Sequence, residues 1–166
     1  SSDLSYSKYN IPISEVKNEI KRLDKAVKNS VSDLGKIIKK IKDHKNDIYG
    51  EMKFMLEANI SIISSSSLVS DAKKRIDSDL INAEFAIIEE LNKHSKIFKK
   101  IKDDYLKDRF DDVRDVCRRI LENLQKKKRK QKLILANQIL ISNELSAADL
   151  LSLSKTKLSG LVSVMG

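Results

Sequence analysis

Turn-forming residues are scarce in this chain of 166 residues, which has one proline, four glycines and no tryptophan. A sandwich or barrel of many short strands needs such residues at every turn, so an all-β fold is nearly excluded. Cysteine is almost absent too. Cys117 alone cannot form an intrachain disulfide, and without Cys-x-x-Cys spacing or a Cys/His cluster no structural zinc site follows. That usage fits a reducing cytosol. No apolar run approaches the roughly 20 residues that span a bilayer, and residues 1–10 lack the basic and apolar blocks of a signal peptide. The expectation is a soluble, cytoplasmic chain. What the sequence does have is 40% apolar and 34% charged residues, enough of the former for a core and too many for extended disorder.

The net charge of +9 is unevenly placed. Residues 126–132 (KKKRKQK) hold six Lys/Arg and no acid, which is two thirds of the excess. With no aromatic residue to stack on bases, this run reads first as a solvated junction where a helix ends, since cations suit the carbonyl end of a helix dipole. The rival function is a basic module binding nucleic acid or an anionic membrane surface.

Ile13, Val16, Ile20, Leu23, Val27, Leu34, Ile37, Ile38 and Ile41 recur mostly at steps of three and four, which predicts a long amphipathic helix with Ser14 as its N-cap. Met52, Met55, Leu56, Ile60, Ile62 and Ile63 form a second helix, broken by the serines at 64–67. Leu68, Ala72, Ile76 and Leu80 make a short one. Asn82 stands as the cap of another, carrying Ala83, Ala86, Ile87, Leu91 and Phe98. The clearest stripe is Leu106, Phe110, Val113, Cys117, Ile120 and Leu124, preceded by Asp103 or Asp104 where an N-cap belongs. Stripes of this kind bury against one another, so the expected fold is mainly α, an antiparallel bundle of about four helices, some kinked. Beyond residue 132 the texture changes. Short apolar runs at 133–136 and 139–141, a Ser146-capped helix to about Leu153 and a buried strand at 158–164 suggest an incomplete α/β segment. The expected division is a linker over 1–12, a helical subdomain over 13–125, a basic junction over 126–132 and a partial α/β segment over 133–166.

Catalytic apparatus is not visible. His44 and His94 sit beside lysines on polar faces. Asp103, Asp104, Asp108, Asp111, Asp112 and Asp115 interleave with Lys107, Arg109, Arg114, Arg118 and Arg119 at helical spacings, which reads as surface ion pairing before it reads as a metal site. Cys117 falls on the apolar stripe as a small buried hydrophobe. No phosphate-binding loop, Gly-x-Ser-x-Gly elbow or His-Glu-x-x-His motif occurs.

Two segments carry a resemblance. NAEFAIIEEL (82–91) followed by DDYLKDRFDDVRDVCRRILENL (103–124) resembles the amino-terminal helical part of enzyme I, the phosphoenolpyruvate-protein phosphotransferase of bacterial phosphotransferase systems. ISEVKNEIKRLDKAV (13–27) is similar to that family's first long helix, and MLEANISII (55–63) to its second. LSAAD (145–149) and GLVSVMG (160–166) are similar to a turn and a strand of its α/β part. The resemblance implies a helical subdomain that docks a small histidine phosphocarrier protein, of the sugar or the nitrogen-related branch, inserted into a domain that bears a phosphorylated histidine. That histidine belongs to a Gly-Gly-x-Thr-Ser-His motif whose first glycine would be Gly166, so this chain reads as a fragment that does not autophosphorylate. Whether it is itself an enzyme stays open. A barrel domain binding phosphoenolpyruvate and magnesium, and pairing the parent as a homodimer, is implied further on; no cofactor is expected in this chain.

The family's docking face maps onto Met55, Asn59, Ile62, Leu68, Phe98, Leu106 and Arg109, where an apolar centre with a polar fringe suits a transient interface. Met55, Ile62, Phe98 and Leu106 read equally as core from their spacing. The chain departs from the family at Asn59, which replaces a usual histidine, and at Ser64, Ser65, Ser66 and Ser67, which replace an acidic run. Lost charge there should reduce steering and alter partner choice. A structural scaffold with a decayed docking face is the remaining alternative.

Overall fold

The computed structural model describes residues 6–42, 47–101 and 103–142, with side chains through residue 126. These residues are almost wholly helical, and the expectation of a mainly α fold holds. A 3₁₀ turn, Ile13–Glu15, leads into α1, Val16–Lys42. Then come α2, Asp47–Ser65, α3, Leu68–Asp79, α4, Ala83–Lys99, and α5, Asp104–Ser142. The chain forms two compact units, Ser1–Leu124 and Gln125–Gly166.

In the first unit α1 is the central element, packing on α2, α3 and α4, while α3 and α4 pack on each other. The α1 stripe buries Val16, Leu23, Ala26, Leu34 and Ile41, and the α5 stripe buries Val113, Val116, Cys117, Ile120, Leu121 and Leu124. The spacing predicted both faces. A polar pin joins the two helices: Asn123 Nδ2 donates to Ser30 Oγ at 2.9 Å and to Asp33 Oδ2 at 3.3 Å. The break between α2 and α3 arises because Ser66 Oγ bonds the Ile62 carbonyl and accepts the Leu68 N–H, so a hydroxyl competes with the helix ladder.

Two expected caps are corrected. Ser14 lies inside the 3₁₀ turn, which begins one residue earlier because Pro12 holds the extended N-cap conformation (φ −64°, ψ 153°). Asn82 occupies the N-cap position of α4 but spends its amide elsewhere. Its Oδ1 accepts the Tyr9 N–H at 3.0 Å and its Nδ2 donates to the Ser7 carbonyl at 3.0 Å. With Asn82 N–H to Tyr9 O and Ile11 N–H to Leu80 O, these bonds lay the extended segment before Pro12 across the α3–α4 corner. Leu80 turns that corner in the left-handed region (φ 51°, ψ 51°). The α4 amino terminus is instead capped from α1, where Glu19 Oε2 accepts the Ala83 N–H at 2.8 Å.

By contrast Asp103 caps α5 as expected, its Oδ1 accepting the Tyr105 N–H at 3.0 Å. The expected end of that helix near residue 125 is a further correction, since α5 runs through the basic residues to Ser142. No glycine or proline interrupts residues 104–142, and Lys, Arg, Gln, Leu and Ala all have good helix propensity. The short apolar runs at 133–136 and 139–141 therefore belong to helical backbone. The helix expected from Ser146, the strand at 158–164, the segments LSAAD and GLVSVMG, and His44 lie outside the described residues.

Candidate functional site

Buried charge comes first, because it fixes which helix faces are left over. Arg22 on α1 is held by two carboxylates. Its Nε and Nη2 donate to Glu19 at 2.9 and 3.0 Å, and its guanidinium also bonds Glu84 of α4. Burial disfavours the Arg22 charge, but the bonds to Glu19 and Glu84 outweigh it and hold the guanidinium well above its usual range. On the other side of α4, buried Glu90 pairs with Arg75 of α3, whose pKa rises mainly through that hydrogen bond. Cys117 is buried, and desolvation, then the nearby Glu90 charge, pushes its thiol up to about 12. These groups position helices.

The docking residues expected from the sequence separate into two sets. Ile62 and Leu68 are 3% and 1% exposed, and Asn59 is 5% exposed with Oδ1 unpartnered among the described residues. These three have almost no surface to offer and contribute packing. Met55, at 45% exposure, remains accessible. It continues a stripe with Ile48 and Met52 at i, i+4 and i+7, so the outer half of the α2 stripe is open where the inner half is core. Phe98 and Leu106 are half-buried and Arg109 is exposed. Phe98 packs on Phe110 with ring centroids 5.7 Å apart, and Arg114 lies 5.6 Å from the Phe110 ring centroid. Phe98, Phe110 and Arg114, with Leu91, border a cleft of about 740 Å³ between α4 and the start of α5, whose lining does not include Leu106 or Arg109.

Sequence reasoning missed two exposed aromatic residues. Phe54 is 76% exposed on α2, and Tyr105, 73% exposed, stands one turn before Arg109 on α5. Neither lies on the main apolar stripe of its helix, and that was the available signal: an aromatic side chain off-stripe has no core to enter. Ile97 and Ile101 are exposed near the same end of α4. The expected ion pairing along α5 is reduced, among the described residues, to Arg118 with Asp115 at 3.6 Å. Asp112 is raised, by burial first and then by Asp115, Asp108 and Asp111 against the opposing pull of Arg109. Among the described residues no three Asp, Glu, His or Cys side chains converge as a metal site requires, so nothing described fits a magnesium ion. No helix there is long and apolar enough to cross a membrane. His94 is half-buried on α4.

Comparison with known proteins settles the ancestry. The family model described as PEP-utilising enzyme, N-terminal, matches residues 3–109, well over half the chain. The chain belongs to this family. Among curated PEP-utilising relatives, the phosphoenolpyruvate-protein phosphotransferase of Bacillus subtilis (strain 168) is 28% identical over 166 residues, covering 99% of this chain and 28% of its own length. That of Priestia megaterium is 26% identical over 156 residues, covering 93% and 26%. An NMR solution structure of Enzyme I matches with a TM-score of 0.67 and 27% identity, over 74% of this chain and 48% of that one. The chain thus spans little more than a quarter of the length of these curated relatives.

Proposed function

We propose that this chain is the carrier-docking part of a phosphoenolpyruvate-dependent protein phosphotransferase, an enzyme I, and that its partner is a small histidine phosphocarrier protein of the sugar or nitrogen-related branch. The observation that carries this reading is similarity along 99% of the chain to a phosphoenolpyruvate-protein phosphotransferase. The exposed residues support it: Met52, Phe54 and Met55 on α2, and Tyr105 and Arg109 on α5, are apolar, aromatic and arginine side chains of the kind that anchor transient interfaces.

The mechanism is positional. Docking holds the carrier's acceptor histidine where a phosphohistidine elsewhere in the parent enzyme reaches it, and converts an encounter between two proteins into a transfer within one complex. Phosphoenolpyruvate and magnesium chemistry, and homodimer formation, would belong to other domains of a cytoplasmic parent. The basic run has weaker support as a nucleic-acid or membrane site, since the family match and the relatives both point to phosphotransfer. Calorimetric titration of the chain with histidine phosphocarriers of the two branches tests the reading. Arg109→Ala should weaken binding by about 1 to 2 kcal/mol with helicity unchanged. Unchanged affinity in that variant removes Arg109 from the face, and no binding by the folded wild-type chain overturns the function.

A further inference from the structure

Residues 6–11 contain no helix, yet they are held to the helical unit at several points. Asn82, 1% exposed, uses both ends of its amide on them, accepting from the Tyr9 N–H and donating to the Ser7 carbonyl. Two backbone bonds and an antiparallel bridge between Asn10 and Ile81 carry the hold on to Ile11. The Lys8 ammonium lies 5.1 Å from the centre of the Phe85 ring. These contacts all fall on residues 80–85. Leu80 stands among them with φ 51°, where a leucine Cβ crowds the following carbonyl oxygen, and such a conformation persists only when its surroundings fix it. Here the Ile76 carbonyl holds the Leu80 N–H, and the Ile11 N–H holds the Leu80 carbonyl. Of the five residues from Ser7 to Ile11, only Ile11 is buried.

We infer that Ser7–Ile11 is a strap clasped by the Asn82 amide, and that it opens and closes on the α3–α4 corner while the helices stay folded. A segment with one buried side chain and a few hydrogen bonds exposes little surface on release, so its opening is local and far more frequent than global unfolding. Opening moves the point where the leading chain joins the helical unit from Ser7 to Pro12, whose carbonyl is held by the Glu15 N–H. Five freed residues extend by up to about 17 Å, so the strap sets the reach of the chain ahead of it. Release also removes one of the two bonds that hold Leu80 left-handed, which leaves the corner poised to relax. The inference concerns the helical unit itself and stands apart from the docking reading.

Amide hydrogen exchange of the full chain, followed by NMR in water and in low urea, tests this. In wild type the Tyr9 and Ile11 amides should be protected, yet exchange at least about 100-fold faster than the Leu34 amide within α1. Low urea should leave their rates unchanged, because it acts through the surface that an opening exposes. Asn82→Ala should lower protection at Tyr9 and Ile11 about ten-fold, with helicity by circular dichroism unchanged. Tyr9→Pro, which removes the Tyr9 N–H and alters no helix, should lower protection at Ile11 likewise and tests the clasp if Asn82→Ala unfolds the chain. Exchange of Tyr9 and Ile11 at the Leu34 rate would make them part of the global fold, and their lack of protection would mean no closed strap. Either result overturns the inference, as does unchanged Ile11 protection in Asn82→Ala or in Tyr9→Pro.

Discussion

Replacing Arg22 with methionine keeps the length of the side chain and removes its charge. Glu84 is 1% exposed and Glu19 9% exposed. Arg22 is bonded to both, and Glu19 also accepts the Ala83 N–H. The variant therefore takes the guanidinium away from two carboxylates in a nearly dry position between α1 and α4. Breaking a buried pair from one side costs about 3 to 5 kcal/mol, against less than about 1 kcal/mol for an exposed pair. Total stability of a domain this size is about 5 to 15 kcal/mol, so much of it should disappear. Urea unfolding followed by circular dichroism at 222 nm reads the loss as a lower midpoint at unchanged slope. Adding Glu84→Met to Arg22→Met should recover about 1 to 3 kcal/mol, because the added change removes a buried charge that has lost its guanidinium and puts apolar volume in its place. A loss below about 1 kcal/mol for Arg22→Met alone, or no recovery in the double variant, would refute the reasoning that burial makes this cluster costly to break.

Other positions test other parts of the account. Gly35 lies within α1, and a Cβ there would meet nothing within 4 Å. Gly35→Ala should stabilise the chain by about 0.5 to 1 kcal/mol in the same unfolding assay. Val113→Asp places an unpaired charge on the buried α5 stripe. It should cost at least about 3 kcal/mol and abolish the cooperative transition. Cys117 has a folded pKa raised from 9.0 to about 12, so its contribution is complete below pH 9 and is lost as pH rises from 9 toward 12, when the unfolded thiol ionises first. Between pH 8 and 10 the wild type should lose about 1.4 kcal/mol more stability than Cys117→Ala, and its thiol should resist Ellman's reagent until the chain unfolds.

The helices were legible because their apolar residues repeat at helical steps, and the break at the serine run was legible because hydroxyls compete with the backbone. The caps were not. Glu19 closes the amino terminus of α4 from 64 residues away, and Asn82 fails to cap because the segment around Tyr9 claims its amide. Neither contact leaves a local trace. The continuation of α5 beyond residue 125 was hidden by treating a cationic run as an ending, although nothing in it breaks a helix. At the candidate site, spacing placed Met55, Asn59 and Ile62 on one α2 stripe, but periodicity does not say how much of a stripe the neighbouring helices cover. The inner half is core and the outer half is surface, so Asn59, Ile62 and Leu68 became packing residues. Phe54 and Tyr105 stood off-stripe and were passed over for that reason.

The central claim is that this chain docks a histidine phosphocarrier on accessible residues of α2 and α5. An amide-resolved NMR titration with the organism's small carriers addresses it most directly. The account predicts saturable shifts centred on Met52, Phe54, Met55, Tyr105 and Arg109, with Gly35 in the body of α1 unmoved. A folded sample that shows no shifts with any carrier, or shifts confined to residues 126–132, would contradict it.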